Sequence, residues 1–126
     1  MTRTGFTPEQ LSYLRDQPLG RLATVDEQHA PQVVPVGFFV DERTGVVSIG
    51  GTTLGSTRKF RNVEATGRAA LVVDDLASID PWQVRGIEIR GHAEALRDVD
   101  PPRPGMSREL ILIHPERIRS WGLPES

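Results

Sequence analysis

The clearest pattern in the chain is the alternation of apolar and polar residues over positions 84–96. Ile87 and Ile89 occupy alternate positions there, and Glu88 and Arg90 stand next to them. Because successive side chains of a strand point to opposite faces, the segment is predicted to be a strand with one dry and one wet face. Two glycines inside it are expected where a strand bends to follow a barrel wall.

Shorter apolar runs, separated by Gly, Pro and acidic turns, predict the other elements. A first helix is expected after Thr7, with Pro8 at its first position and Gln10 completing a capping box. A second helix is expected from Ser56 to Thr66, with Gly67 as its C-terminal stop. Further strands are predicted at 21–25, 30–40, 46–50, 69–73 and 109–113. Since most strands follow one another directly, we expect a mainly β fold with two short helices, a six-stranded antiparallel barrel, as a single domain over residues 1–126.

Three segments lead to more specific expectations. Residues 30–40 are apolar on both faces, which is typical of a strand buried on both sides, although Pro35 indicates a bulge or an edge. Residues 74–81 are acidic and are expected to form a loop, and residues 114–118 are expected to form a turn. These boundaries decide which side chains lie on the sheet and which lie in connections.

Composition narrows the class of protein. The 126 residues include 15 Lys and Arg and 17 Asp and Glu, for a net charge of −2 and no cysteine. That balance argues against a nucleic-acid binder, and the absence of cysteine excludes thiolate metal sites and disulfides. The scattered histidines predict no metal site. No apolar stretch approaches the about 20 residues of a membrane helix, and no secretory signal is visible, so a cytoplasmic protein is expected.

The start of the second helix is the first candidate for a binding site. Arg58, Lys59 and Arg61 stand there without an acid among them, and Ser56 and Thr57 precede them. Helix N-termini favour anions through free N–H groups and the helix dipole, and cations strengthen that preference. The pattern therefore fits a phosphate site. It equally fits a solvated basic helix face.

Two strand segments and a tryptophan form the other candidates. An apolar strand interrupted by proline, together with a Gly-rich strand end, could offer its backbone to a flat ring, and a packed core with a bulge explains the same residues. Trp82 could stack on a ring, fill a subunit interface or serve as a packing anchor. Neither a catalytic triad nor a Walker loop can be assembled, which favours an enzyme whose cofactor supplies the chemistry. The strand residues in question are Val34, Pro35, Val36, Ile49 and Gly50.

Four segments resemble the pyridoxamine 5′-phosphate oxidase-like split β-barrel superfamily. They are GSTRKFRNV at 55–63, GRAALVV at 67–73, RGIEIRGHAEAL at 85–96 and IHPERIRSWG at 113–122. The last is similar to small actinobacterial members that use the deazaflavin coenzyme F420. The chain lacks the C-terminal arginine and histidine motif of true pyridoxamine phosphate oxidases, which argues against oxidation of vitamin B6.

The resemblance implies a homodimer of FMN-binding split barrels with two cofactor sites along the subunit interface. It assigns the cofactor phosphate to Lys59, with Ser56, Thr57 and Arg58 beside it and Asn62 as a looser match. It places Val34, Pro35, Val36, Ile49 and Gly50 beneath the cofactor ring and lets Trp82 reach the partner's cofactor.

The function that the resemblance implies is hydride transfer between F420 and a conjugated small molecule. Two alternatives share the same pocket. One is an FMN-dependent reductase, and the other is a non-catalytic protein that binds a flavin or a tetrapyrrole. No catalytic residue, substrate or reaction direction follows from the sequence.

Overall fold

The computed structural model describes residues 5–124 of the chain. Its two α-helices are α1 (Pro8–Arg15) and α2 (Arg58–Thr66), and a single 3-10 turn, Leu54–Ser56, precedes α2. The strands are β1 (Gly20–Val25), β2 (Pro31–Val36), β3 (Phe39–Val40), β4 (Val47–Ile49), β5 (Arg68–Ser78), β6 (Gln83–Arg97) and β7 (Glu109–Trp121).

All seven strands belong to one antiparallel sheet in the order β2-β1-β5-β6-β7-β4-β3. The sheet curls into a half-barrel around one apolar core, to which α1 and α2 contribute Leu14, Phe60 and Val63. The mainly β class with two helices is confirmed. The expected six strands are seven, because the predicted strand 30–40 is two strands.

The segment 30–40 differs from its prediction in a second way. It breaks at Gly37 and Phe38, and the two pieces lie at opposite ends of the strand order. β2 is therefore an edge strand, not one buried on both sides, and Val33 is 65% exposed. Proline has no N–H to donate to a neighbouring strand, and because an edge strand has a neighbour on one side only, Pro35 is tolerated opposite Arg21.

Two segments that were predicted to be connections, the loop at 74–81 and the turn at 114–118, lie largely within strands. β5 continues through Asp74 and Asp75, which pair with Gly86 and Arg85 of β6, so the expected acidic loop shrinks to a short turn. The expected turn at 114–118 lies inside β7, where the register shifts by one residue opposite Gly91. A Cβ on Gly91 would lie 2.0 Å from the carbonyl oxygen of His114, so only glycine fits this bulge.

The caps of both helices match the predictions, although α2 begins at Arg58 rather than at the expected Ser56, which lies in the preceding 3-10 turn. Thr7 and Gln10 form the capping box of α1. Thr57 caps α2 by accepting from the N–H of Phe60, and Gly67 ends the helix at a φ of 68°, in the left-handed region. None of the helices within residues 5–124 is long and apolar enough to cross a membrane.

Candidate functional site

The start of α2 carries cations that have no acidic partner. Arg58 and Arg61 are exposed, Lys59 is half-buried, and within residues 5–124 none of the three forms an ion pair. Arg61 instead donates to the carbonyl of Ser56 at 2.8 Å. By contrast, Arg97 beside the same helix makes a two-pronged contact with Glu64. We call Arg58, Lys59 and Arg61 the cationic turn.

Backbone donors add to the charge of this turn. The N–H groups of Arg58 and Lys59 lie in the first turn of the helix and, among the described residues, have no backbone acceptor. The hydroxyls expected to help are engaged locally. Ser56 donates to the carbonyl of Thr53 at 2.9 Å, and Thr57 donates to that of Leu54 at 2.6 Å. An anion at this turn would therefore meet free N–H groups and cationic side chains rather than free hydroxyls.

Of the strand residues predicted to lie beneath a ring, Gly50 lines a pocket, whereas Val34, Pro35, Val36 and Ile49 do not line it. Gly37, directly after β2, and Gly50, directly after β4, line the same pocket of about 700 Å³. The pairing of β3 with β4 explains this, because Phe39 lies opposite Ser48, and Gly37 and Gly50 each stand two residues from that pair on the same side. Ile49 is fully buried and Val36 is 6% exposed, so the side chains of these two residues belong to the core.

This cavity, which we call the acceptor pocket, is lined mainly by apolar side chains from three parts of the chain. Its volume falls within the range typical of small-molecule sites. At its rim Arg15 and Glu42 form a two-pronged ion pair, and this contact holds the pKa of the Glu42 carboxyl below its usual range. The apolar lining comprises Leu11, Leu14, Pro18, Phe38, Phe39, Val40, Pro102 and Met106.

The loop between β6 and β7 lines the acceptor pocket and also binds the residues that precede α2. Ser107 donates from its backbone N–H to the carbonyl of Gly51 and accepts from the N–H of Leu54 at 3.0 Å. Its neighbour Met106 lines the pocket, and a Cβ on Gly50 would lie 3.1 Å from the sulfur of Met106. The pocket wall and the approach to α2 are thus held by the same loop.

Two predicted site residues lie apart from this arrangement. Asn62 is buried, and its amide nitrogen donates to the Thr24 hydroxyl at 3.0 Å, so it joins α2 to β1 rather than facing a cofactor. We therefore leave it out of the site. Trp82 lies at the turn between β5 and β6 and is 68% exposed. Within one copy of the chain it lines neither the acceptor pocket nor the second depression described next.

A second depression of about 800 Å³ lies over β1, β5, β6 and β7. Arg68, Arg90 and Arg117 line it, and Arg90 contacts Glu88 at 3.5 Å. These three arginines stand far apart in the sequence, so no local pattern marks them as a group. The register of three neighbouring strands brings them onto one face.

The apolar lining of the acceptor pocket was also missed. Phe38 and Phe39 were expected inside one long strand, and no role was predicted for Pro102 and Met106. A signal for the first pair was present in Gly37, since a glycine inside an apolar run often marks an irregular strand. Nothing local in the sequence indicated that the loop packs over Gly50.

Comparison with known families agrees with this fold. The family model described as pyridoxamine 5′-phosphate oxidase matches residues 6–122. The chain belongs to this family.

Relatives of known activity cover nearly the whole chain. It is 46% identical over 119 residues to a 5a,11a-dehydrotetracycline/5a,11a-dehydrooxytetracycline reductase of Streptomyces rimosus, covering 94% of this chain and 84% of that protein. It is 28% identical over 131 residues to a biliverdin reductase of Mycobacterium tuberculosis that depends on reduced coenzyme F420, covering 93% and 89%.

Solved structures share the architecture. An F420 reductase superposes with a TM-score of 0.66 at 26% identity, covering 90% of this chain and 98% of that one. The HupZ protein of Group A Streptococcus superposes with a TM-score of 0.70 at 20% identity, covering 91% and 98%. The second likeness supports the split-barrel fold alone.

Proposed function

We propose that the protein is an oxidoreductase that uses coenzyme F420 to reduce a conjugated small molecule. The observation that carries the proposal is the cationic turn, whose charges form no ion pair within residues 5–124, together with an apolar pocket whose wall includes the loop that binds Leu54 just before α2. The named reductases among its relatives support the reaction class, and the F420-dependent relative supports the choice of cofactor. FMN is the alternative cofactor, because it too joins a flat ring to a phosphate.

The residues present fit such a cofactor in two respects. Lys59 and Arg58 would hold its phosphate, together with the free backbone N–H groups of the first turn of α2. The strand ends at Val34, Pro35 and Val36 and at Gly50 would lie along the ring. The reduced cofactor, when bound, would supply a hydride to the acceptor.

The apolar wall of the acceptor pocket would hold the acceptor flat and keep water away from it. The side chains of Phe38, Phe39 and Met106 carry no ionisable group that would take up or release a proton beside the acceptor. Exclusion of water strengthens the electrostatic contacts made inside such a site.

We also propose that the active form is a homodimer. Exposed apolar side chains on a folded domain mark an interface when they cluster. Leu76 pairs with Val84 on neighbouring strands, Trp82 lies at the turn between those strands, and Trp121 pairs with Gly86. A second copy would cover these residues and bring Trp82 to the partner's site.

Titration with F420 and FMN, followed by fluorescence, tests the cofactor proposal. The wild-type protein should bind F420 more tightly than FMN. Lys59→Ala should weaken binding of F420 by about tenfold or more, because a contact between a cation and an anionic group contributes roughly 1.5–3 kcal/mol. The matched control is Arg43→Ala, an exposed cation in the loop between β3 and β4. Equal affinity of Lys59→Ala and wild type would reject the role of Lys59.

Turnover separates the enzyme from a protein that only binds. With reduced F420 and a dehydrotetracycline as acceptor, the enzyme should oxidise F420 at a rate that depends on the acceptor concentration. Tight binding of cofactor without oxidation by any conjugated acceptor would favour the non-catalytic alternative. Sedimentation of the same samples measures whether the protein is a dimer.

A further inference from the structure

Within the described part of the chain, Arg103 is the one cation lining the acceptor pocket that has no carboxylate partner. Two arginines line this pocket, and the other, Arg15, is held by Glu42. Arg103 is exposed and, within residues 5–124, forms no ion pair. The remaining lining is apolar except for Gln17, Ser48 and Glu42. A ligand that fills the pocket therefore contacts a mainly apolar surface and the guanidinium of Arg103.

The loop that carries Arg103 is held in place by contacts outside the pocket. Ser107 binds Gly51 and Leu54, and the N–H of Val99 donates to the carbonyl of Arg108 at 3.1 Å. Arg108, on the same loop, contacts Asp100 at 3.6 Å and does not line the pocket. The side chain of Arg103 is thus free to turn toward a ligand without the loop losing its anchors.

We propose that the acceptor pocket binds a flat, conjugated molecule bearing an acidic oxygen, and that Arg103 selects that oxygen. The inference rests on the proposed function, because it names the substrate class of the same site. The apolar faces of Phe38, Phe39 and Met106 suit a conjugated ring system. A guanidinium suits a carboxylate or an enolate oxygen, which it binds through two parallel donors.

The test uses two fluorescent probes of the same shape, anthracene carboxylate and its neutral carboxamide. Binding of each is measured by fluorescence with no cofactor present. Arg103→Gln should weaken binding of the carboxylate by about fivefold, the effect expected of an exposed ion pair, and leave the carboxamide unchanged. Arg103→Lys should retain part of the preference for the carboxylate. Arg108→Gln, the matched control on the same loop, should change neither affinity.

A second variant tests the location. Ser48 lines the pocket between the buried residues Val47 and Ile49, so Ser48→Phe fills the cavity without disturbing the core. Both probes should lose roughly tenfold in affinity, because the filled pocket no longer buries them. Probes that bind this variant as well as wild type would overturn the proposed location. A carboxylate preference unchanged in Arg103→Gln would overturn the role of Arg103.

The same samples are titrated separately with F420. Binding of F420 with no effect of Arg103→Gln on the probes contradicts this inference and leaves the proposed cofactor intact. Charge-selective binding of the probes without binding of F420 supports the pocket and contradicts the cofactor. The two failures are therefore distinguishable.

Discussion

Two regions of the protein differ in whether their charged side chains form ion pairs within the chain. At the junction of α1 with β5 and β6, Asp75 accepts hydrogen bonds from the Tyr13 hydroxyl at 2.7 Å and from two nitrogens of Arg85. We call Tyr13, Asp75 and Arg85 the tied cluster. At the cationic turn, Arg58 and Lys59 have no such partner among the residues that the structure describes.

The difference separates charges that hold the fold from charges available to a ligand. In the tied cluster every charged group has its partner within the chain, and the partners come from three elements. Hydrogen bonds from Arg85 and Tyr13 hold the pKa of Asp75 below its usual range. Burial, followed by the contact with Asp75, raises the pKa of Tyr13. A region so satisfied gains nothing from an anion, whereas the cationic turn does.

The largest effect on stability is expected from Asp75→Ala. It removes the acceptor of the buried Tyr13 hydroxyl and leaves Arg85 unpaired, at a cost of about 2 kcal/mol in the free energy of unfolding. Urea denaturation measures it. Lys59→Ala, which breaks no contact of this kind, should stay within about 0.5 kcal/mol of wild type. Equal losses in the two variants would show that the regions do not differ as described.

Acid sharpens the same comparison with a smaller effect. Because the pKa of Asp75 is lower in the folded than in the unfolded chain, its contribution is present above the unfolded pKa and is lost as pH falls through the folded one. The stability difference between wild type and Asp75→Asn should be constant above about pH 5 and shrink below about pH 4. Urea denaturation at several pH values measures this difference. A difference that persisted unchanged at low pH would contradict the charge-based account.

A feature of this fold could be predicted from the sequence when the residues that form it lie close together in the chain. The caps of α2, Thr57 and Gly67, and the alternation of β6 are local signals, and they placed the cationic turn correctly at the start of a helix. Asp74 and Asp75 suggested a loop because two adjacent acidic residues are typical of loops, and the sequence does not show that Arg21 and Arg85 pair with them. Arg21 pairs with Asp74 across two neighbouring strands, and only the sheet reveals it.

The acceptor pocket shows the same limit at the candidate site. Gly50 was identified, but the residues that enclose its pocket were not, since Phe39 lies on the paired strand β3 and Met106 comes from a loop that is distant in sequence. An apolar residue in sequence looks the same whether it faces a core or an open cavity. The curl of the sheet decides which, and that curl is a property of all seven strands together.

The smallest effect concerns salt. Contacts of exposed cations with a ligand are screened, since the Debye length falls from about 10 Å at 0.1 M salt to about 3 Å at 1 M. Binding of F420 at the cationic turn should therefore weaken about threefold over that range. Binding to Lys59→Ala should weaken less over the same range, because one of the screened charges is already gone. Fluorescence titration of both proteins at several salt concentrations measures the two slopes, and parallel slopes would remove Lys59 from the electrostatic contact with the cofactor.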